Sequence, residues 1–149
     1  MTHQACLWRL RASIYVLAAR HGRLPDVAAL SAASKLPPDQ VTSALRRLHA
    51  ERLLVIDPVD ARIVMAHPLA GFQSRYRFES GDKCFDAPCA WDVLALPSLL
   101  DRAGTVHAFW AEDGQAWQAR ADAQRLDAPA GVVHFSVTAQ GFWDDIGFT

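Results

Sequence analysis

Cys89 and Asp92 are the residues in this sequence best placed to do chemistry together. They stand three apart in Pro88-Cys89-Ala90-Trp91-Asp92-Val93-Leu94-Ala95-Leu96-Pro97, a short apolar run bracketed by prolines. If the run is helical, residues three apart share a face, so the thiol and the carboxyl point the same way. A thiol captures soft metals and electrophiles, and a carboxyl beside it can receive or deliver a proton. Pro88 fits the first turn of such a helix, and Pro97 is expected to end or kink it. The positive end of the helix should favour the thiolate of Cys89. The plainer reading makes Cys89 a small buried hydrophobe and Asp92 a charge that satisfies backbone donors.

The rest of the chain must position that pair. With 149 residues, 51% of them apolar and 21% charged, it suits one ordinary domain or two small ones. No stretch is long and apolar enough for a transmembrane helix, and Arg9 and Arg11 interrupt the start where a signal peptide would be apolar. A cytoplasmic protein is therefore expected, with no membrane partner. The cysteines are Cys6, Cys84 and Cys89. An odd number without a Cys-x-x-Cys pair argues against a disulfide framework and against structural zinc. No cofactor is indicated.

Charge divides the chain. Residues 1–56 hold eight Lys or Arg against three Asp or Glu, a net of +5; residues 57–149 hold seven against thirteen, a net of −6. In the first part, Leu7, Leu10, Ile14 and Leu17 keep helical spacing up to His21-Gly22. Asp26 caps a second short helix, and Pro38 to Glu51 forms a third with the stripe Val41, Ala44, Leu45 and Leu48. Leu53 to Ile56 and Ala61 to Ala66, around the turn Asp57-Pro58-Val59-Asp60, make a β-hairpin. Three helices and a hairpin give a winged helix-turn-helix over residues 1–66. Gln40, Ser43, Arg46 and Arg47 on the third helix are the candidate DNA contacts. Asp57 and Asp60 at the wing tip would repel phosphates, so the module serves equally well for packing.

Residues 67–149 read as a small mixed α/β domain, making the whole chain α+β. Strands are expected over Ser74 to Phe78, from Cys84, over Thr105 to Trp110, over Ala116 to Arg120 and, most clearly, over Gly131 to Val137. His67 and His134 have no partner at ligand spacing and read as structural. Trp91, Trp110, Trp117 and Trp143 read as core or as the wall of an apolar pocket.

Pro-Cys-Ala-Trp-Asp followed by Leu-Pro-Ser-Leu-Leu resembles the alkylmercury (organomercurial) lyase family, the MerB-like proteins. The order of parts is similar too: a winged-helix-like start, Met65-Ala66-His67-Pro68-Leu69-Ala70, the Cys-x-x-Asp helix, the Val-Val-His-Phe segment and the tail Phe-Trp-Asp-Asp-Ile-Gly-Phe-Thr. The resemblance implies a lyase-like domain over residues 67–149 in which Cys89 is the first catalytic cysteine and Asp92 the catalytic aspartate. It further implies a small organomercurial or thiophilic metal as ligand and a protonolytic cleavage of the carbon–mercury bond. The family has a second catalytic cysteine later in the chain, whereas here no cysteine follows Cys89, and Val106 to Trp110 lacks a further one common in relatives. Cys84 approaches Cys89 as a second mercury ligand if Phe85-Asp86-Ala87 folds back. The abrupt aromatic and acidic end suggests a domain that continues beyond Thr149, and a sheet edge left open there could pair with a second copy in a homodimer. The alternatives are a degenerate relative that binds metal without cleavage and a winged-helix regulator with a ligand-sensing second domain.

Overall fold

The computed structural model describes residues 3–146. Gly147, Phe148 and Thr149 of the tail motif lie outside the described residues. The chain forms α1 (His3–His21), α2 (Val27–Ser34), α3 (Pro38–Ala50), β1 (Val55–Ile56), β2 (Ile63–Ala66), β3 (Leu69–Ala70), β4 (Tyr76–Ser80), β5 (Lys83–Ala87), α4 (Ala90–Leu100), β6 (Gly104–Phe109), β7 (Ala116–Ala121) and β8 (Leu126–Asp127), followed by a single 3₁₀ turn (Ala139–Gly141). The class is α+β, with an antiparallel three-stranded sheet β1-β2-β3 and an antiparallel five-stranded sheet β5-β4-β6-β7-β8.

The first three helices and the hairpin follow the expected order, with sequence causes at their ends. Gly22, at φ +73°, closes α1 with its N–H on the Ala18 carbonyl. The Asp26 carboxylate caps α2 by accepting from the Ala29 N–H at 2.7 Å. Leu7, Leu10 and Ile14 of α1 pack with Leu30, Val41, Leu45 and Leu48 of α2 and α3 and with Leu54, Ile56 and Ile63 of the hairpin.

The second core is built on a row across four strands. Phe78 of β4 lies opposite both Phe85 of β5 and Val106 of β6, and Val106 lies opposite Ala119 of β7. All four are buried. Val93 and Leu96 of α4, buried in the same cluster, cover this face. A Cβ at Gly104 would run into the Glu79 carbonyl and the Phe78 ring, so the strand meets that ring only because the residue is glycine. Helix α1 serves both cores: its early turns belong to the first, Ala18 belongs to the second, and Tyr15 touches each. Arg102, just after α4, donates to the Ala19 carbonyl at 3.1 Å and ties the same two parts together.

Two expectations are corrected. Pro97 does not end the helix: it lies inside α4, which runs three residues further to a left-handed cap at Asp101. The proline removes one backbone donor, yet its ring is buried with Val93 and Leu96, and packing keeps the helix going. Gly131 to Val137 forms no strand. Its alternating pattern pairs with no strand: Val132 stays 91% exposed, and Phe135 packs against Trp91.

Phe78→Ala should lower the unfolding free energy by about 3–5 kcal/mol, because one ring serves two neighbouring strands and α4. Denaturant unfolding followed by circular dichroism reads this as a lower midpoint at unchanged slope.

Candidate functional site

Strand β5 runs through Pro88 into Cys89, which is the N-cap of α4 in extended conformation at φ −149°. Its carbonyl takes the first helical hydrogen bond, from the Val93 N–H at 3.1 Å. Asp92 is then the third residue of the helix, where an acidic side chain reaches back over the N-terminus. Here it meets sulfur: Cys89 Sγ donates to Asp92 Oδ2 at 3.2 Å. The i, i+3 spacing in the sequence is realised as direct contact.

The same carboxylate oxygen has a second partner, His67 Nδ1 at 3.3 Å. His67 sits in the turn between β2 and β3, and its backbone carbonyl accepts from the Tyr15 hydroxyl at 3.1 Å. Arg11, one turn earlier on α1, donates to that hydroxyl at 3.3 Å and lies over the Tyr15 and Trp8 rings. Residues from the first half thus hold one edge of a site whose reactive pair comes from the second. Sequence reasoning read His67 as structural because its partner is 25 positions away. The signal in the sequence that points there is the segment Met-Ala-His-Pro-Leu-Ala.

The pair opens into a cavity of about 650 Å³. Tyr76, Trp91, Phe135, Phe142 and Trp143 supply an aromatic wall, and Arg11 and Arg52 bring positive charge to it. Trp91 and Phe135 meet edge to face with centroids 5.8 Å apart, and Phe135 tilts against Phe142 at 5.5 Å. Trp110 and Trp117 pair with each other and do not line this cavity. A second cavity, about 500 Å³ near the end of α1, contains no thiol. Its carboxylates are engaged, Asp26 in capping α2 and Asp86 in accepting the Ser74 N–H.

Burial pushes the Cys89 thiol up to about 11; the Asp92 charge and the S–H bond to it act the same way, against the backbone N–H groups of Asp92 and Trp91. This corrects the expected thiolate. A helix N-terminus favours an anion by about 0.3–1 kcal/mol, too little to offset desolvation and a neighbouring carboxylate. Burial also raises the Tyr76 phenol, and nearby Cys89 adds to the effect.

Cys84 is not brought to Cys89. Phe85-Asp86-Ala87 does not fold back, because it is part of β5. Phe85 and Ala87 pack under α4, so by alternation Cys84 faces the opposite side of the sheet, where it is exposed beside Glu79. Among the described residues, no group of three or more His, Cys, Asp or Glu side chains is arranged to hold a metal ion. On α3, Gln40, Ser43 and Arg46 are exposed, Arg47 pairs with Glu51 at 2.9 Å, and none of the four lines the Cys89 cavity. Asp57 and Asp60 accept backbone N–H groups of their own turn.

Because its thiol is raised, Cys89 should alkylate slowly at neutral pH, with a rate that climbs until about pH 11. Asp92→Asn removes the negative charge and should move that profile to lower pH. Iodoacetamide labelling resolved by peptide mass spectrometry separates Cys89 from Cys6 and Cys84.

No family model matches the chain, and no curated protein does. Among solved structures, it is similar to one described as the crystal structure of the mercury-bound form of MerB2, with a TM-score of 0.65 and 19% sequence identity over 85% of this chain. The chain spans 59% of the length of that protein. At this identity the likeness is one of fold: the α+β arrangement described above is MerB-like, and no helix among the described residues is long and apolar enough to cross a membrane.

Proposed function

We propose that this chain cleaves the carbon–mercury bond of small organomercurials by protonolysis, with Cys89 capturing the metal and Asp92 passing the thiol's proton to the leaving carbon. The observation that carries this reading is the 3.2 Å contact between Cys89 Sγ and Asp92 Oδ2 at the wall of an aromatic cavity. Its setting in a MerB-like fold gives further support.

The thiol's protonation state favours this chemistry over acyl transfer. A nucleophilic cysteine of the acyl-transfer kind works as a thiolate with a depressed pKa. Cys89 stands at about 11 and arrives carrying its proton. As the S–Hg bond forms, the organomercurial's anionic ligand leaves mercury for solution and the thiol loses its proton, for which Asp92 Oδ2 is the acceptor in contact. The carboxylic acid then protonates the carbon: the carbon–mercury bond breaks, its electron pair takes the proton as a new C–H bond, and Asp92 returns to carboxylate. Mercury stays on Cys89 sulfur with a vacant position. A solution thiolate fills it, because Cys6 and Cys84, the other cysteines of the chain, do not line the cavity. The aromatic wall suits an aryl or alkyl group and excludes water from the proton's path.

The test is incubation with phenylmercuric acetate and excess small thiol, with benzene measured by gas chromatography. The wild type should release benzene, and Cys89→Ser should release none. Asp92→Asn should still bind phenylmercury while benzene formation falls by about 10²–10⁴-fold, the usual worth of a positioned acid. No benzene from the wild type, or equal benzene from Cys89→Ser, would remove the proposal.

A further inference from the structure

We infer that His67 is a positioning residue for Asp92: its imidazole holds Oδ2 in the orientation that accepts from Cys89 Sγ. The inference deepens the proposed reaction, but its evidence is the resting geometry of the three side chains, which does not require mercury. Both His67 Nδ1 and Cys89 Sγ lie on the same oxygen, at 3.3 Å and 3.2 Å. A carboxylate oxygen can accept two hydrogen bonds, and two partners stand within reach of this one. An imidazole bearing a proton on Nδ1 donates to Oδ2, and rotation of the carboxyl away from sulfur gives up this bond too.

His67 is suited to the task because it is itself fixed from the other half of the chain. The Tyr15 hydroxyl holds its backbone carbonyl, and Arg11 holds that hydroxyl. Asp92 sits on the first turn of α4, where its side chain is otherwise free to turn outward. The Asp92 side chain is 13% exposed and that of His67 is 37% exposed. The carboxyl is thus the more enclosed of the two, and His67, Asp92 and Cys89 all line the same cavity. A histidine kept only for packing would be buried among apolar groups, and this one is not.

The test compares Cys89 alkylation rates at one mildly alkaline pH in a double-mutant cycle, with folding checked by thermal melting. His67→Ala should free the Asp92 carboxylate from the sulfur and speed alkylation by about tenfold, the effect of a one-unit fall in thiol pKa. Asn places an amide nitrogen near the position of Nδ1, so His67→Asn should restore the wild-type rate. In an Asp92→Asn background, His67→Ala should add nothing, because the group it acts through is gone. A His67→Ala rate equal to or below wild type, failure of Asn to restore the rate, or an effect that persists in Asp92→Asn would each overturn the inference. Since the readout is alkylation, it stands or falls separately from any release of benzene.

Discussion

One carboxylate oxygen organises this site. Asp92 Oδ2 lies within hydrogen-bond reach of a thiol from the cap of its own helix and of an imidazole from a turn 25 residues earlier. Everything the fold does for the site serves that meeting. The row of Phe85, Phe78, Val106 and Ala119 seats α4 on the sheet. The β5-to-α4 connection makes Cys89 the cap, and α1 reaches from the first core to steady the imidazole through Tyr15. Burial of the thiol then follows, and with it the protonated state on which the proposed chemistry draws.

The local chemistry of this arrangement was legible in the sequence, and the distant part was not. Cys89 and Asp92 were visible because a helix turns i, i+3 spacing into proximity without help from the rest of the chain. The helix ends at Gly22 and Asp26 were visible for the same reason, since capping is a short-range matter. His67 could not be found this way: its role depends on where a loop between two short strands lands, and no spacing rule encodes that. The protonation of Cys89 was misjudged because the helix end is a local feature, while desolvation is a property of the packed molecule. Gly131 to Val137 shows the limit of pattern reading from the other side. Alternation prepares a strand, but a strand also needs an edge to pair with, and here the aromatic Phe135 finds Trp91 instead. Cys84 fails as a partner for Cys89 through the opposite error, in that the residues supposed to bend are the ones most firmly paired.

The site differs in composition from what the family resemblance implies. Among the described residues the cavity holds one thiol, that of Cys89, and Cys84 lies on the far side of the sheet. One protein sulfur can still capture a thiophilic cation, and the carboxyl beside it can still conserve the proton that capture releases. What one sulfur does less well is enrich the metal with electron density, which is why the account assigns the second sulfur to a solution thiol. Phe135, Phe142 and Trp143 line the cavity from the segment after β8, which carries the 3₁₀ turn Ala139–Gly141 and, among the described residues, no strand.

The proposed reaction makes the half-buried, protonated Cys89, and not the exposed Cys84, the point of capture, with Asp92 using the proton released there. Native mass spectrometry with peptide mapping, after one equivalent of phenylmercuric acetate, tests both halves in one experiment. The expected result is a phenylmercury adduct on Cys89 that loses its phenyl group with time in the wild type and keeps it in Asp92→Asn. An adduct seated on Cys84 or Cys6, or a phenyl group lost equally fast without the Asp92 carboxyl, would contradict it.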